Sequence, residues 1–310
     1  MSRPDTADER LARAALSLEG LSVGDAFGER FFVDPYSVND LIEARTLPTA
    51  PWLYTDDTEM ALSLVSVLRQ SGEMDQDRLA RSFAEHYDPM RGYGPAMHDI
   101  VPMMLLPGSW VSLSRRLFGG QGSFGNGAAM RVAPLGAYFA DDPETAASQA
   151  FDSAIVTHAH PEAAAGAVAV AVGAALAWQW RDLRPRPTLR EFLEGVLPYI
   201  PESEVHRRTE LARDLPQDVS VMVAIDRLGN GSEVSSQDTV PFILWCAGQH
   251  LGSYEDALWL TVSGLGDRDT TCAMVGGIVA LSAGAASIPD AWIAAREPLP
   301  TWLFEEWTQM

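Results

Sequence analysis

The chain has 310 residues, 47% of them hydrophobic, with 42 acidic against 22 basic residues and a formal charge of −20. That hydrophobic content is enough for a sizeable core, while the acidic excess opposes non-specific binding to nucleic acid or to an anionic membrane. An anionic ligand would need local help from a metal ion, a helix N-terminus or converging backbone amides. Cys246 and Cys272 are the two thiols, too few for a disulfide framework and not a CxxC pair. With an N-terminus that lacks the basic and then apolar profile of a signal peptide, this points to the cytoplasm.

Helical periodicity starts at once. Residues 8–24 set Leu11, Ala14, Ala15, Leu18 and Leu21 on one stripe, behind Asp5 or Thr6 as N-cap. Residues 58–69 repeat the pattern after a polar start, followed by 128–139, 143–157, 161–180, 239–250, 254–263 and 270–283. The apolar run 166–178 is about 13 residues, short of the ~20 that a membrane helix needs, so a buried helix is expected there. Small residues crowd 163–175 and 276–286, which lets helix axes approach closely. Residues 185–231 are more charged and carry five prolines from Pro185 to Pro216, the pattern of a peripheral or lid segment, but no Gly/Ser tract separates them. Alternating strand-type runs and fixed-period repeats are missing. One all-α domain over residues 1–310 is the expectation.

Two acidic clusters stand just before helices. In Thr55-Asp56-Asp57-Thr58-Glu59 the purely structural alternative is capping, with Asp56 as cap and Glu59 completing a capping box. Capping explains one carboxylate better than two adjacent ones. Asp267-Arg268-Asp269-Thr270 repeats the situation, and Asp-x-Asp spacing in a turn can aim two carboxylates at one centre. Hard oxygen ligands suit Mg²⁺, Mn²⁺ or Ca²⁺, and a divalent cation relieves the repulsion between them. Together the clusters suggest a shared two-metal site. A third segment, from Phe118 through Gly122, Ser123, Phe124, Gly125 and Asn126 to Gly127, leads into another predicted helix and is a phosphate-loop candidate. It is neither a Walker A loop nor a dinucleotide fingerprint, and a flexible loop with Asn126 in a left-handed turn is the alternative.

Taken together, residues 20–28 (GLSVGDAFG), 52–62 (WLYTDDTEMAL), 122–131 (GSFGNGAAMR), 156–167 (VTHAHPEAAAGA) and 264–271 (GLGDRDTT) closely resemble the ADP-ribosylglycohydrolase family. That family includes dinitrogenase reductase-activating glycohydrolase and the ADP-ribosyl-arginine and ADP-ribosyl-serine hydrolases. The resemblance implies a compact orthogonal many-helix bundle holding two Mg²⁺ ions, with Mn²⁺ as the alternative. Thr55, Asp56 and Asp57 match the first ligand set, and Asp267, Asp269 and Thr270 the second. Gly122, Ser123, Gly125 and Asn126 match the loop that holds diphosphate and ribose. Phe118 and Phe124 fall where relatives put aromatic residues around adenine, although both could equally be core. His158 matches a histidine near the ligand, His160 has no such match, and Arg91-Gly92-Tyr93-Gly94 looks like a substrate-facing loop.

The implied reaction is hydrolysis at the anomeric carbon of the distal ribose, with Asp56 or Asp57 accepting the proton of the attacking water. The implied partners are ADP-ribose and an ADP-ribosylated acceptor. A non-catalytic, ADP-ribose-binding or crystallin-like member is one alternative, and a hydrolase of another ribosyl or nucleotide compound is a second. The sequence also departs from the family. Position 32, where many relatives carry an acid, is Phe32, so that role would fall to Glu29 or Asp34; Arg268 replaces a small residue and either adds positive charge at the ligand or points outward.

Overall fold

The computed structural model describes residues 6–305. Among these the regular structure is helical, and the only ladder contacts are two isolated bridges, Trp52 with Arg296 and Gly125 with Ser235. The all-α expectation holds. The helices Ala7–Glu29, Asp56–Ser71, Pro143–Ile155, Pro161–Gln179, Ser236–Gln249, Tyr254–Ser263 and Arg268–Ala283 match the predicted periodic segments. Thr6 caps the first through a capping box with Glu9, while Asp5 lies outside the described residues. The predicted helix 128–139 is broken into a 3₁₀ turn, Asn126–Ala128, and a short helix, Ala133–Tyr138. Pro134 is the physical reason, because it has no N–H to give to a continuing helix and fits only a first turn.

Pro161–Gln179 runs through the core, with every residue from Ala163 to Ala177 buried. Its length and hydropathy would suffice to cross a membrane, but 83% of that window is packed inside the protein. In the 185–231 segment the helices Leu189–Val196, Glu204–Asp214 and Val221–Leu228 form, and Phe192, Leu193, Val205, Ala212 and Leu228 join the same hydrophobic cluster as the central helices.

One packing seam positions the site. Gly20, Gly24 and Gly28 recur at every fourth residue of Ala7–Glu29, so they share a helix face. A Cβ added to them would lie 2.4 Å from the Gly276 carbonyl oxygen, 2.2 Å from that of Cys272 and 2.2 Å from that of Arg268. Backbone therefore touches backbone along the full seam between Ala7–Glu29 and Arg268–Ala283. The consequence is that Asp25 and Glu29, near the end of one helix, are held beside the start of the other.

Candidate active site

Thr55 is the N-cap of Asp56–Ser71, yet its side chain makes no capping bond. The cap is imported. Asp25, fully buried on the first helix, accepts the backbone N–H groups of Thr55 at 3.0 Å and Thr58 at 3.1 Å, and the hydroxyls of Thr55 at 2.9 Å and Thr58 at 2.5 Å. The capping alternative for Asp56 and Glu59 is thereby corrected, since Asp25 already holds the helix N-terminus. Glu59 instead accepts from the Asp88 N–H and the Tyr93 hydroxyl, and the Asp56 N–H donates to the Arg91 carbonyl. These bonds fasten the loop Arg91-Gly92-Tyr93-Gly94 beside the helix start.

With its capping duty removed, the first acidic cluster faces the second. Asp57 is fully buried; its Oδ2 lies 2.9 Å from the Thr55 hydroxyl and 3.3 Å from that of Thr270. Its Oδ1 is buried with no hydrogen-bond partner, and so is Oδ1 of Asp269. Asp267 accepts from the Asn126 amide at 2.7 Å. Burial, and after it the neighbouring carboxylates, holds Asp56 and Asp57 well above the ordinary carboxylate range. Burial likewise lifts Asp25 to about 6, Asp269 to about 6 and Asp267 to about 7. Like charges so arranged cannot all ionise without a counter-charge. The donors are hard oxygens, and two of the carboxylate oxygens lack any partner, which fits a divalent cation of the Mg²⁺ or Mn²⁺ kind. Among the described residues no three His, Cys, Asp or Glu side chains already close on one point. A cation here would therefore draw on the hydroxyls of Thr55 and Thr270 as well.

A cleft of about 720 Å³ opens onto Asp56, Asp267, Asp269 and Thr270. The segment Ser123–Gly127 and His158 form one wall, and Phe118 and Phe124 stand at its rim, 55% and 36% exposed, with ring centroids 5.7 Å apart. Exposure decides between the two readings of these rings: they are not core. In the loop, Gly122 adopts φ +78°, and a Cβ there would meet the backbone of Ala159 and His160 at 2.8 Å. The Gly125 N–H goes to the Ser123 hydroxyl and the Asn126 N–H to the Val234 carbonyl. Those two amides are engaged internally, so the loop is not simply a cradle of free N–H groups. His160 is structural, its Nδ1 accepting the Glu162 N–H at the start of Pro161–Gln179.

A second cavity of about 570 Å³ lies on the other side of the carboxylates, lined by Glu29, Phe32, Tyr54, Thr55, Arg91 and Glu297 among others. It shares Gly92 and Asp269 with the first cleft. Glu29 is partly buried, and burial raises its pKa; Asp34 does not line the cavity. Arg268 does not point outward: its guanidinium, partly buried, packs 4.7 Å from the Phe32 ring of this second cavity and donates to the Phe31 carbonyl, close enough to Asp269 to feel its charge. Arg91 lies over the Tyr54 ring at 3.9 Å and donates to Glu297 and to the Tyr54 carbonyl.

Sequence reasoning missed two of these residues. The four-residue glycine spacing could have flagged Asp25, since it marks a helix face pressed on a neighbour. Glu297 carried no local signal.

A family model described as ADP-ribosylglycohydrolase matches residues 6–309. The chain is 29% identical to ADP-ribosylhydrolase ARH3 of Bos taurus over 275 residues, 77% of this chain and 73% of that protein. It is 24% identical to ADP-ribosylarginine hydrolase Tri1 of Serratia proteamaculans over 304 residues, covering 92% and 75% respectively. A solved structure described as an ADP-ribosylglycohydrolase-related protein complex aligns with a TM-score of 0.64 at 25% identity, covering 94% of both chains.

Proposed function

We propose that this chain, which belongs to the ADP-ribosylglycohydrolase family, is a dimetal hydrolase that cleaves the glycosidic bond between ADP-ribose and a modified acceptor. Hydrolysis of ADP-ribosyl linkages is the activity of its named relatives. The observation that carries the finer reading is the meeting of two cavities at one set of partner-starved carboxylates, with Asp269 and Gly92 common to both. A bond cut at that junction leaves its two products in separate cavities.

ADP-ribose fits the larger cleft, with adenine against Phe118 and Phe124 and the diphosphate along Ser123, Gly125, Asn126 and His158; Gly122 does not line it and instead lets the loop pack on the Ala159 and His160 backbone. The acceptor belongs in the smaller cavity. Thr55, Asp56 and Asp57 on one side and Asp267, Asp269 and Thr270 on the other would hold two Mg²⁺ ions, or Mn²⁺ in their place. Such ions, when bound, neutralise the carboxylates and polarise the ribose hydroxyls and water. Asp56 lines the cleft whereas Asp57 is fully buried, so Asp56 is the better proton acceptor for the attacking water. Glu29, on the acceptor side with its pKa raised by burial, is suited to return a proton to the leaving group.

The test is release of free ADP-ribose from arginine- and serine-linked substrates in Mg²⁺. Asp56→Asn and Asp269→Asn should each slow turnover by roughly 10²-fold or more. Undiminished activity in both variants would sink the dimetal reading. Tight ADP-ribose binding without release from any substrate would favour a non-catalytic binding protein.

A further inference from the structure

We infer that Arg131 and Thr157 are positioning residues that fix His158 as the neutral imidazole with its proton on Nε2, so that the cleft offers an uncharged N–H donor to an anionic phosphate oxygen of the ligand. The chain of donors dictates this. Arg131 is fully buried, with its guanidinium 4.7 Å from the Phe83 ring. Its Nη2 donates to the Ser153 carbonyl at 3.0 Å, and its Nη1 lies 3.0 Å from the Thr157 hydroxyl oxygen and 3.2 Å from the Gly127 carbonyl. A guanidinium can only donate, so the Thr157 oxygen is the acceptor in that contact. That oxygen could accept a second time, but the hydroxyl proton has no other acceptor among the described residues than His158 Nδ1, 2.7 Å away, so it is donated there. Nδ1 is left as an acceptor, and a neutral ring with an accepting Nδ1 carries its hydrogen on Nε2.

The other edge of the ring is kept clear by glycine. A Cβ at Gly127 would come within 2.9 Å of Nε2, and one at Gly125 within 3.3 Å. His158 and both glycines line the cleft. These two glycines therefore serve the histidine as much as the ligand. Burial, and then the nearby Arg131 charge, pushes the His158 pKa down to about 3, in keeping with a neutral ring. The arrangement lets a buried arginine act on the ligand through two intermediaries without a charge titrating in the cleft.

The identity of the ligand rests on the function proposed above; the tautomer does not. The experiment is ¹⁵N–¹H long-range correlation on ¹⁵N-histidine-labelled protein, assigned with His158→Gln, together with ADP-ribose titration in Mg²⁺. Wild-type protein should show His158 protonated at Nε2 only. Thr157→Val should lose that pattern and weaken ADP-ribose binding about tenfold, and Thr157→Ser should restore both. A wild-type spectrum with the proton on Nδ1 would overturn the inference without recourse to any variant, as would an unchanged ring spectrum in Thr157→Val. Wild-type protein that binds no ADP-ribose would instead sink the proposed function, leaving the tautomer to be decided by the spectra.

Discussion

The helices that begin at Leu189 and at Asp56 share a threonine at the N-cap and acid in the first turn, one glutamate in the former and three carboxylates in the latter, and they use these in opposite ways. At the periphery, Thr188 caps its own helix, and Glu191 reaches back to the Thr188 N–H at 2.8 Å. Those bonds hold the exposed Glu191 carboxyl below its ordinary pKa. In the centre, Thr55 makes no cap; Asp25 arrives from another helix to satisfy the Thr55 and Thr58 amides, and Asp57 is buried with its pKa well raised. A carboxylate that serves its own helix is stabilised and chemically idle. One relieved of that duty by a neighbour stays short of partners, and is available to a cation.

That contrast can be broken first at the seam that delivers Asp25. Gly24→Ala puts a Cβ 2.2 Å from the Cys272 carbonyl oxygen, rigid backbone, whereas Gly195→Ala on the peripheral helix meets the far end of the Trp180 side chain at 2.3 Å. Overpacking at Gly24 should cost about 3 kcal/mol, while Gly195→Ala should stay within about 1 kcal/mol because Trp180 can move and alanine favours helix. Chemical denaturation of both variants checks this, and equal losses would mean that the seam is no tighter than the periphery.

Asp25→Asn comes next. It keeps the shape of the cap and removes one buried charge, so folding should survive while Mg²⁺ affinity falls roughly 10–100-fold, the scale of losing a residue that orients metal ligands. Calorimetric titration with Mg²⁺ reads it; unchanged affinity would show that the imported cap has nothing to do with the cation.

The pH dependence should separate the two regions as well. Folded-state pKa values near 6 for Asp25 and Asp269 and near 7 for Asp267 are raised above the unfolded carboxylate value. Their contribution to stability is therefore present at acid pH and lost as pH climbs through about 6–7. Metal-free protein should lose thermal stability between pH 5 and 7.5, and Mg²⁺ should restore more of it at the higher pH. Thermal melts with EDTA and with Mg²⁺ test the sign, and a metal-free protein that gains stability across that window would contradict it. The smallest effect is Thr188→Ala, expected to cost about 1 kcal/mol and to leave ADP-ribose release untouched.

Much of this molecule was legible in the chain. Long helices such as 161–180 and 270–283 showed in their apolar period, because burying one face needs that period whatever the partner. The proposed ligand candidates were legible because two adjacent carboxylates flanked by hydroxyls at a helix start are more than a cap needs. Boundaries were less legible where proline intervened, as at Pro134, and the helices of 185–231, though Leu189, Phe192, Leu193 and Val196 make a clear apolar stripe, are only 8 to 11 residues long and set among prolines.

The sequence by itself determined the helical class, the two acidic clusters and the glycine loop, since each depends on neighbours within a few residues. Tertiary structure alone decided that Asp25 caps a helix 30 residues away, that Glu297 meets Arg91, that His158 is reached through Thr157 from Arg131, and that Arg268 packs onto Phe32. Those are contacts between elements distant in the chain. For Asp25 and Arg268 they follow from how closely the glycine backbones of the seam approach, and no local periodicity records that distance.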